Sequence, residues 1–260
     1  MKYHEEKPFL EHLEDLRWVI IKSLMALTAG AVVCFVETKP LMAILLRPLK
    51  AAGEDPQKVL RVLGVVDPLS IQLQISLLGG LVLSLPFILY FIAEFIIPGL
   101  TPSELKLLFP IFSAGTLLFV GGILFSYFIL LPQTLRFFST YNQWMGIQTD
   151  WTLQNYANFV VQMLVSFGLA FELPLIIVLL GLLGILNTST LIHYRRHAIV
   201  AIVIAAACIT PSSDPLSLLF LSFPMYLLYE ASLLVVKSIE SKRGISQNRT
   251  IENRKEELFS

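Results

Sequence analysis

The sequence predicts an all-α integral membrane protein with six transmembrane helices and with both chain ends in the cytoplasm. Of the 260 residues, 55% are hydrophobic and only 15% are charged, and the mean hydropathy is +0.73. Soluble domains have about a quarter of their residues charged. Strands of a membrane β-barrel would alternate in polarity, and no such alternation is seen. The composition therefore favours membrane-spanning helices, whose backbone groups are all satisfied internally.

The charge balance and the cysteine count exclude several other classes. Nineteen basic and nineteen acidic side chains cancel to a net charge of zero, which excludes a strongly basic surface for nucleic acid. The two cysteines, Cys34 and Cys208, are too few for a disulfide scaffold or a Cys-built zinc site. A bridge between them is conceivable, but free and buried thiols are the expectation. We expect no metal, because His193 and His197 have helical ligand spacing but no third ligand nearby.

Six segments are apolar enough to be spanning helices, which need about 20 residues each. They are residues 18–36, 71–97, 107–131, 159–186, 197–209 and 216–236. The fifth is short and forms a tight hairpin with the sixth. Three prolines lie inside spans, at Pro86, Pro174 and Pro224, where neighbouring helices can satisfy the freed carbonyl groups.

The distribution of basic residues predicts the orientation. With six spans both termini share a side, and that side carries thirteen of the nineteen lysines and arginines. Cytoplasmic loops of membrane proteins are enriched in these residues, so both termini are predicted to be cytoplasmic. The first outer loop opposes this assignment, because it carries five of the remaining six.

Three regions follow from this topology. Residues 1–236 form one membrane domain, within which residues 37–70 form an outer cap loop containing a short helix near residues 41–49. Residues 237–260 form a polar cytoplasmic tail, in which we expect little regular structure.

Glu172 is the first candidate functional residue, because it lies about twelve residues from each end of the fourth predicted span. A charge at that depth costs at least about 2.5–3.5 kcal/mol on insertion scales, so intramembrane carboxyl groups are usually functional. Alternatively, Glu172 is a neutral structural residue that is hydrogen-bonded to Gln162 or to a neighbouring helix.

Asp15 and Glu104 form a second candidate site. They are 89 residues apart but are both predicted on the cytoplasmic face, where two carboxylates can bind a guanidinium bidentately. Each has a simpler interpretation. Residues 101–104 (TPSE) form a capping box, so Glu104 can cap the third span, and Asp15 can belong to a solvated acidic face with Glu11 and Glu14. Glu94 and Glu230 are interpreted as solvated helix ends.

Several motifs, in order along the chain, resemble those of the TatC family, the polytopic subunit of the twin-arginine protein translocase. They are FLEHLEDLR at 9–17, FIIPGL at 95–100 with Glu104, FVGGILF at 119–125, FGLAFELP at 167–174, TPSSDPLS at 210–217, and Pro224 with LLYE at 227–230. Each motif is weak alone, but together they cover nearly the whole chain. One departure is Asp15, which stands where the family usually has Glu.

The resemblance implies a concave, glove-like bundle of six spans that binds signals with consecutive arginines and exports folded proteins using the proton-motive force. Implied partners are single-span proteins of the TatA and TatB types, membrane lipid and further copies of the chain. The implied signal-binding residues are Asp15, Glu104, His12, Arg17 and Phe95. The implied partner-helix contacts are Glu172, Pro48 and Asp214.

Two other functions would use some of the same residues. A proton-coupled transporter of a small solute would use Glu172 as its proton carrier. An intramembrane enzyme would need a nucleophile and a base at similar depth, and neither Ser166 nor the interfacial histidines supply a convincing pair. The sequence contains no nucleotide-binding motif, and we expect neither a cofactor nor enzymatic activity.

Overall fold

The structure is a computed structural model that describes the backbone of residues 9–99, 102–209 and 215–259 and the side chains of 13–98, 105–208 and 218–241. In these ranges the chain is almost entirely helical. The helices are α1 (Phe9–Val36), α2 (Thr38–Leu45), α3 (Arg47–Ala51), α4 (Pro56–Val59), α5 (Asp67–Ile96), α6 (Pro102–Phe125), α7 (Leu131–Trp144), α8 (Leu153–Ala170), α9 (Leu173–Leu182), α10 (Thr188–His193), α11 (Arg195–Ile209) and α12 (Pro215–Phe259).

All six predicted spans are helical. Within the described residues, five segments are long and apolar enough to cross a bilayer: Leu13–Val36, Asp67–Ile96, Leu105–Trp144, Leu153–Leu182 and Leu218–Ser241. The fifth predicted span corresponds to α11, whose 15 residues give a length of about 22 Å. This is shorter than the hydrocarbon core of about 30 Å, as the sequence indicated.

The spanning helices are arranged in a layer. Helix α1 packs along α5, α5 contacts α6 and α8, α9 contacts α6 and α12, and α12 contacts α11. Helices α1 and α11 thus lie at opposite edges of the layer. We call the end of the layer at which α1 begins the terminal end, and the opposite end, which carries α2–α4, the cap end.

Helices α1 and α5 are antiparallel and approach each other at their backbones. A Cβ atom built on Gly30 would lie 2.9 Å from the carbonyl oxygen of Gly80, and one built on Gly80 would lie 2.5 Å from the Ala31 nitrogen. The Gln72 side-chain amide donates to the Phe35 carbonyl (3.3 Å) near the cap end. Small residues allow such close packing in membranes, so this contact holds α1 at the edge of the layer.

The fourth span is two helices rather than one. Helix α8 ends at Ala170 and α9 begins at Leu173, and Pro174 in the first turn of α9 has no N–H to continue the α8 ladder. Helix α9 ends four residues before the predicted end of the span. Gly184 follows with φ +73°, a conformation that commonly terminates helices.

The third span is longer than predicted. Helix α6 continues through a π-helical segment, Ser126–Leu130, into α7, which ends at Trp144. The helical segment from Leu105 to Trp144 has 40 residues and is about 60 Å long, twice the hydrocarbon thickness.

The cap loop is helical, as predicted, and is fixed to the spans by side-chain hydrogen bonds. The hydroxyl groups of Tyr127 and Tyr156 donate to the carbonyls of Ile44 and Leu45, both at 2.8 Å. Strand β1 (Leu60–Arg61) pairs in parallel with β2 (Trp151–Thr152), an element that was not predicted. An ion pair between Arg61 and Asp150 (3.2 Å) reinforces this pairing.

The expectation of an irregular C-terminal tail was wrong. Helix α12 continues without interruption to Phe259 and has 45 residues. Beyond Ser241 the sequence contains one glycine and no proline and is rich in glutamate, lysine and arginine. These residues lose little side-chain freedom in a helix, so the helix continues past the end of the apolar segment.

Candidate functional site

The antiparallel packing of α1 and α5 brings the two halves of the predicted recognition site to the terminal end. The Lys22 ammonium group lies 3.4 Å from a carboxylate oxygen of Glu94 and joins the two helices there. Asp15 lies seven residues before Lys22, about 10 Å further toward the terminal end. Glu104 follows Glu94 by ten residues.

The described members of this site are accessible. Asp15 and Phe95 are partly exposed, and Arg17 is exposed. Helix α6 begins at Pro102, as its capping box predicted, so Glu104 lies in the first turn of that helix. The side chains of Glu104 and His12 lie outside the described residues.

The Lys22–Glu94 ion pair was not anticipated, because Glu94 was interpreted as a solvated helix end. The two side chains are 42% and 53% exposed, and the Lys22 ammonium also lies 5.7 Å from the centre of the Phe91 ring. Exposed ion pairs contribute at most about 1 kcal/mol to the free energy of unfolding. The pair therefore shows how α1 and α5 are aligned more than it stabilises them. The available sequence signal was Lys22, the one charged residue in the predicted span 18–36.

Glu230 is also paired rather than simply solvated. Arg195 at the start of α11 donates to its carboxylate at 2.7 Å, and the Tyr226 hydroxyl donates at 3.0 Å. These contacts join α11 to α12 near the terminal end. Glu240, also on α12, accepts from the Thr188 backbone N–H at 2.9 Å and caps α10.

Glu172 occupies the break between α8 and α9, ten residues and about 15 Å before the end of α9. The residue is 8% exposed, and neither of its buried carboxylate oxygens has a hydrogen-bond partner among the described residues. The alternative of a structural bond to Gln162 is therefore not observed. Burying a polar group without a partner is unfavourable, so this carboxyl group has unused hydrogen-bonding capacity.

An apolar groove runs between α6 and α12, with α9 at its base. Its deeper part has a volume of ≈ 190 Å³ and is lined by Ile111, Ala114, Gly115, Leu118, Pro174, Leu175, Val178, Leu228, Ala231, Ser232 and Val235. A second part of ≈ 410 Å³ extends toward the terminal end and is lined by Leu107, Pro110, Ile111, Ala114, Leu234, Val235, Ser238 and Ile239. Three residues are common to both parts, so they form one groove.

The Glu172 carboxylate reaches the edge of this groove at Gly115. A Cβ atom built on Gly115 would lie 3.2 Å from Glu172 Oε2 and 2.9 Å from a methyl carbon of Leu175. An apolar helix or acyl chain fits such a lining. Both carboxylate oxygens are themselves buried beneath this lining. The sequence could not reveal the groove, because α6 and α12 are remote in sequence.

The two other predicted partner contacts are Pro48 and Asp214, and only Pro48 lies among the described residues. Pro48 is buried in the first turn of α3, and α3 packs on α7, so its ring contacts the chain itself. Asp214 lies outside the described residues. Cys34 is free and buried as expected, whereas Cys208 is free but exposed, contrary to the expectation, because α11 lies at the edge of the layer.

The chain is similar to known proteins over most of its length. Residues 11–224 match the family model described as Sec-independent protein translocase protein (TatC). The chain is 40% identical over 192 residues to a protein of that name from Akkermansia muciniphila, covering 74% of this chain and 55% of that protein. It is 37% identical over 235 residues to the chloroplastic TATC of Pisum sativum, covering 90% of this chain and 65% of the relative. The chain thus spans between half and two thirds of these relatives' lengths.

A solved structure of a protein with the same name also resembles the chain. The crystal structure of a twin arginine translocase receptor, TatC, matches with a TM-score of 0.74 and 33% identity, covering 87% of this chain and 98% of that chain. This match confirms the six-helix membrane fold. It does not favour the small-solute transporter or the intramembrane enzyme. The chain is therefore a multi-pass membrane protein that belongs to the TatC family of twin-arginine protein translocase components.

Proposed function

We propose that this protein is the core receptor of a twin-arginine translocase and binds the arginine pair of export signals at its terminal end. Asp15 and Glu104 would accept the two guanidinium groups, with His12, Arg17 and Phe95 in the same site. The observation that carries the proposal is the antiparallel α1–α5 packing, since it brings Asp15 and the first turn of α6 to one end of the layer. Carboxylates bind guanidinium groups in a bidentate manner, which lysine cannot reproduce.

The proposed location is the bacterial cytoplasmic (inner) membrane, with the terminal end in the cytoplasm. Signals reach the translocase from the cytoplasm, so the recognition site must face that side. The excess of lysines and arginines predicted at this end supports the orientation. With partners of the TatA and TatB types, and as one of several copies in a complex, the protein would move folded cargo using the proton-motive force.

The groove between α6 and α12 supports a partner contact at Glu172. Its apolar lining and the unpartnered carboxylate beside it fit a single-span helix that carries one hydrogen-bond donor. Hydrogen bonds between membrane helices contribute about 0.6–2 kcal/mol each, enough to select one helix over another without making binding permanent. Pro48, through the cap that it helps to hold, and Asp214 are proposed as further partner contacts.

Signal binding can be tested with the purified full-length protein and a fluorescent peptide that contains consecutive arginines. Asp15→Asn and Glu104→Gln should each raise the Kd roughly tenfold or more, because each removes a charged hydrogen bond worth about 1.5–3 kcal/mol. Glu104→Gln is informative because glutamine also serves in a capping box and preserves the helix start.

Two controls accompany this test. Glu14→Gln removes the neighbouring exposed carboxylate on α1 and should leave the Kd unchanged. A peptide with two lysines should bind the unchanged protein weakly, because an ammonium group lacks the planar, bidentate geometry. Unchanged binding of the arginine peptide by the double variant would contradict the proposed recognition site.

A further inference from the structure

The short span α11 begins with a cluster of polar residues at the terminal end. Helices α10 and α11 meet at Tyr194, where the Tyr194 N–H donates to the Thr190 carbonyl (3.0 Å) and the Ala198 N–H donates to the Tyr194 carbonyl (2.9 Å). These bonds carry the helical turn across the junction, so α10 and α11 share one helical spacing. The cluster, which we call the basic patch, is exposed at every position and consists of His193, Tyr194, Arg195, Arg196 and His197.

The two arginines of the basic patch differ in their partners. Arg195 lies on the side of α12, where it donates to the Glu230 carboxylate at 2.7 Å. Arg196 is about 100° further around the axis and forms no ion pair with any described residue. The elements that α11 contacts most are α10, which has no acidic residue, and α12. On the described side chains of α12, Glu230 is paired with Arg195 and Glu240 caps α10, so neither carboxylate neutralises Arg196.

The side of α11 that carries Arg196 is apolar over the rest of its length. We call its exposed residues the apolar strip, which consists of Val200, Val203 and Ile204. At about 100° per residue these three residues follow Arg196 within less than a quarter turn of its direction. Ile202, on the side toward α12, is 5% exposed, whereas Val200 and Ile204 are each 58% exposed. The basic patch therefore stands at the head of an open apolar surface that runs into the membrane.

The depth of Arg196 can be measured from the start of α10. That start, Thr188, is polar and its backbone N–H is bonded to Glu240 at 2.9 Å, so it marks the water side of the headgroup layer. Arg196 follows Thr188 by eight residues, about 12 Å toward the membrane centre. One headgroup layer is about 5–7 Å thick, which places the Arg196 backbone about 6 Å inside the hydrocarbon boundary. A long arginine side chain can extend back from there to the headgroups, where an anion would relieve the cost of an unpaired charge.

The two histidines supply further hydrogen-bond donors on the same side. His193, Arg196 and His197 have the spacing i, i+3, i+4, which places them next to one another on a helix. The Tyr194 ring packs against both imidazoles, with centroids 5.0 Å from His193 and 5.5 Å from His197. A guanidinium binds a phosphate in a bidentate manner, and imidazole N–H groups can donate to its remaining oxygens.

We infer that Arg196, His193 and His197 bind the phosphate of an anionic phospholipid whose acyl chains lie along the apolar strip. A phospholipid combines an anionic phosphate at headgroup depth with apolar chains directly below it, which is the order that α11 presents. A soluble anion would match the basic patch but not the strip. The lipid neutralises the arginine that the fold leaves unpaired, and it binds at the edge of the layer opposite to α1 and the proposed signal site.

The test uses the full-length protein in vesicles that contain equal amounts of phosphatidylglycerol and phosphatidylcholine. Trp18→Phe, Trp144→Phe and Trp151→Phe remove the native tryptophans, and Ile204→Trp places one tryptophan on the apolar strip. In each experiment one of the two lipids carries bromine atoms on its acyl chains, which quench a tryptophan that they contact. Brominated phosphatidylglycerol should quench more strongly than brominated phosphatidylcholine. The difference should correspond to a preference of about fivefold, the change expected for one arginine near an anionic headgroup.

Substitutions in the basic patch assign the preference to particular side chains. Arg196→Gln should abolish it, and Arg196→Lys should keep part of it, because an ammonium group attracts a phosphate but cannot bind it bidentately. The combined change His193→Gln and His197→Gln should weaken it less than Arg196→Gln does. Lys237→Gln is the matched control, since it removes one exposed positive charge from the same end of α12 and should leave the preference unchanged.

Equal quenching by the two brominated lipids would overturn the inference. So would a preference that survives Arg196→Gln or disappears equally in Lys237→Gln, because the overall charge of the terminal end would then attract the lipid. Weak quenching by both lipids would also overturn it, since a protein surface would then cover the strip. Loss of the preference in millimolar inorganic phosphate would show that the basic patch binds a soluble anion instead of a lipid.

Discussion

At the scale of single residues, Glu172 is the clearest case in which stability and function oppose each other. The residue is 8% exposed, and its buried carboxylate oxygens have no hydrogen-bond partner in the described part of the chain. A group of this kind destabilises the isolated protein, because it loses its hydration without gaining a protein partner. Its presence at the edge of an apolar groove is explained if a partner supplies the missing donor.

We predict that Glu172→Met stabilises the isolated protein and impairs export. Methionine fills a similar volume without the desolvation cost, so the free energy of unfolding should rise by about 1–3 kcal/mol. Glu172→Gln keeps an amide for hydrogen bonding and should export a folded twin-arginine reporter nearly as well as the unchanged protein. The measurements are thermal unfolding in detergent and reporter export in cells.

Glu172→Ala separates the remaining possibilities. It should export less than Glu172→Gln, because a polar partner group then remains unpaired in the membrane at a cost of about 1–2 kcal/mol. If both variants were equally inactive, a titrating proton carrier would account better for Glu172 than a hydrogen bond. Full export by Glu172→Ala would show that the carboxyl group is tolerated rather than used.

The Lys22–Glu94 pair gives a second prediction at this scale. Reversing either charge alone places like charges near each other at the terminal end of α1 and α5. Each single reversal should therefore lower the thermal unfolding temperature in low salt. The accompanying loss in the free energy of unfolding should be small, about 1 kcal/mol or less, because both side chains are roughly half exposed. The double reversal, Lys22→Glu with Glu94→Lys, should restore the unchanged value, and a double variant as unstable as the singles would contradict the pairing.

At the scale of elements, the α1–α5 contact depends on glycine. A Cβ on Gly80 would lie 2.5 Å from the backbone nitrogen of Ala31, and a backbone cannot move aside as the end of a side chain can. We predict that Gly80→Ala lowers the free energy of unfolding by about 1–3 kcal/mol, the usual cost of overpacking. Gly121→Ala is the control, because a Cβ there meets no atom within 4 Å. Equal stability of the two variants, measured by thermal unfolding in detergent, would show that α1 and α5 are less closely packed.

The elements that could be predicted are those with a strong local signal. Each of the six spans is a run of apolar residues, and the start of α6 is encoded by the Pro102 capping box. The extension of the third span through α7 was missed because Gln133, Arg136 and Gln143 lower its hydropathy, although they lie on one exposed face. The pairing of β1 with β2 involves two residues on each strand and about 90 residues of separation, so no local pattern could indicate it.

The candidate sites also divide into residues with a local sequence signal and features that depend on the tertiary structure. Asp15, Glu104 and Glu172 could be proposed from the sequence because each is a charged residue in a recognisable local motif. The groove beside Glu172 is formed by α6, α9 and α12 together, so it depends on tertiary packing that the sequence does not display. Pro48 could be located on the cap, but only the fold shows that its ring is buried within the chain.

At the scale of the whole molecule, the remaining question is which end faces the cytoplasm. The cap loop carries five of the six basic residues assigned to the opposite side, which weakens the charge argument for the orientation. Two of these five are near acidic residues, since Arg61 pairs with Asp150 at 3.2 Å and Lys58 lies 4.0 Å from Asp55. The rule counts only basic residues, however, so these pairs do not remove the conflict. The basic residues of the tail and of the α10–α11 turn, Arg195 and Arg196, favour a cytoplasmic terminal end.

We predict that Lys58→Cys reacts with a membrane-impermeant maleimide added to intact cells, whereas Ser246→Cys in the tail reacts only after permeabilisation. Lys58 is suitable because its side chain is 82% exposed, and unlike Asp55 it does not cap α4. Both variants require a background without native thiols, because Cys208 is exposed and would react itself. The physical reason is that the many positive charges of the terminal end resist transfer across the membrane during insertion. Labelling of Ser246→Cys in intact cells, with Lys58→Cys protected, would reverse the orientation. The proposed arginine-binding site would then face away from the compartment in which export signals are made.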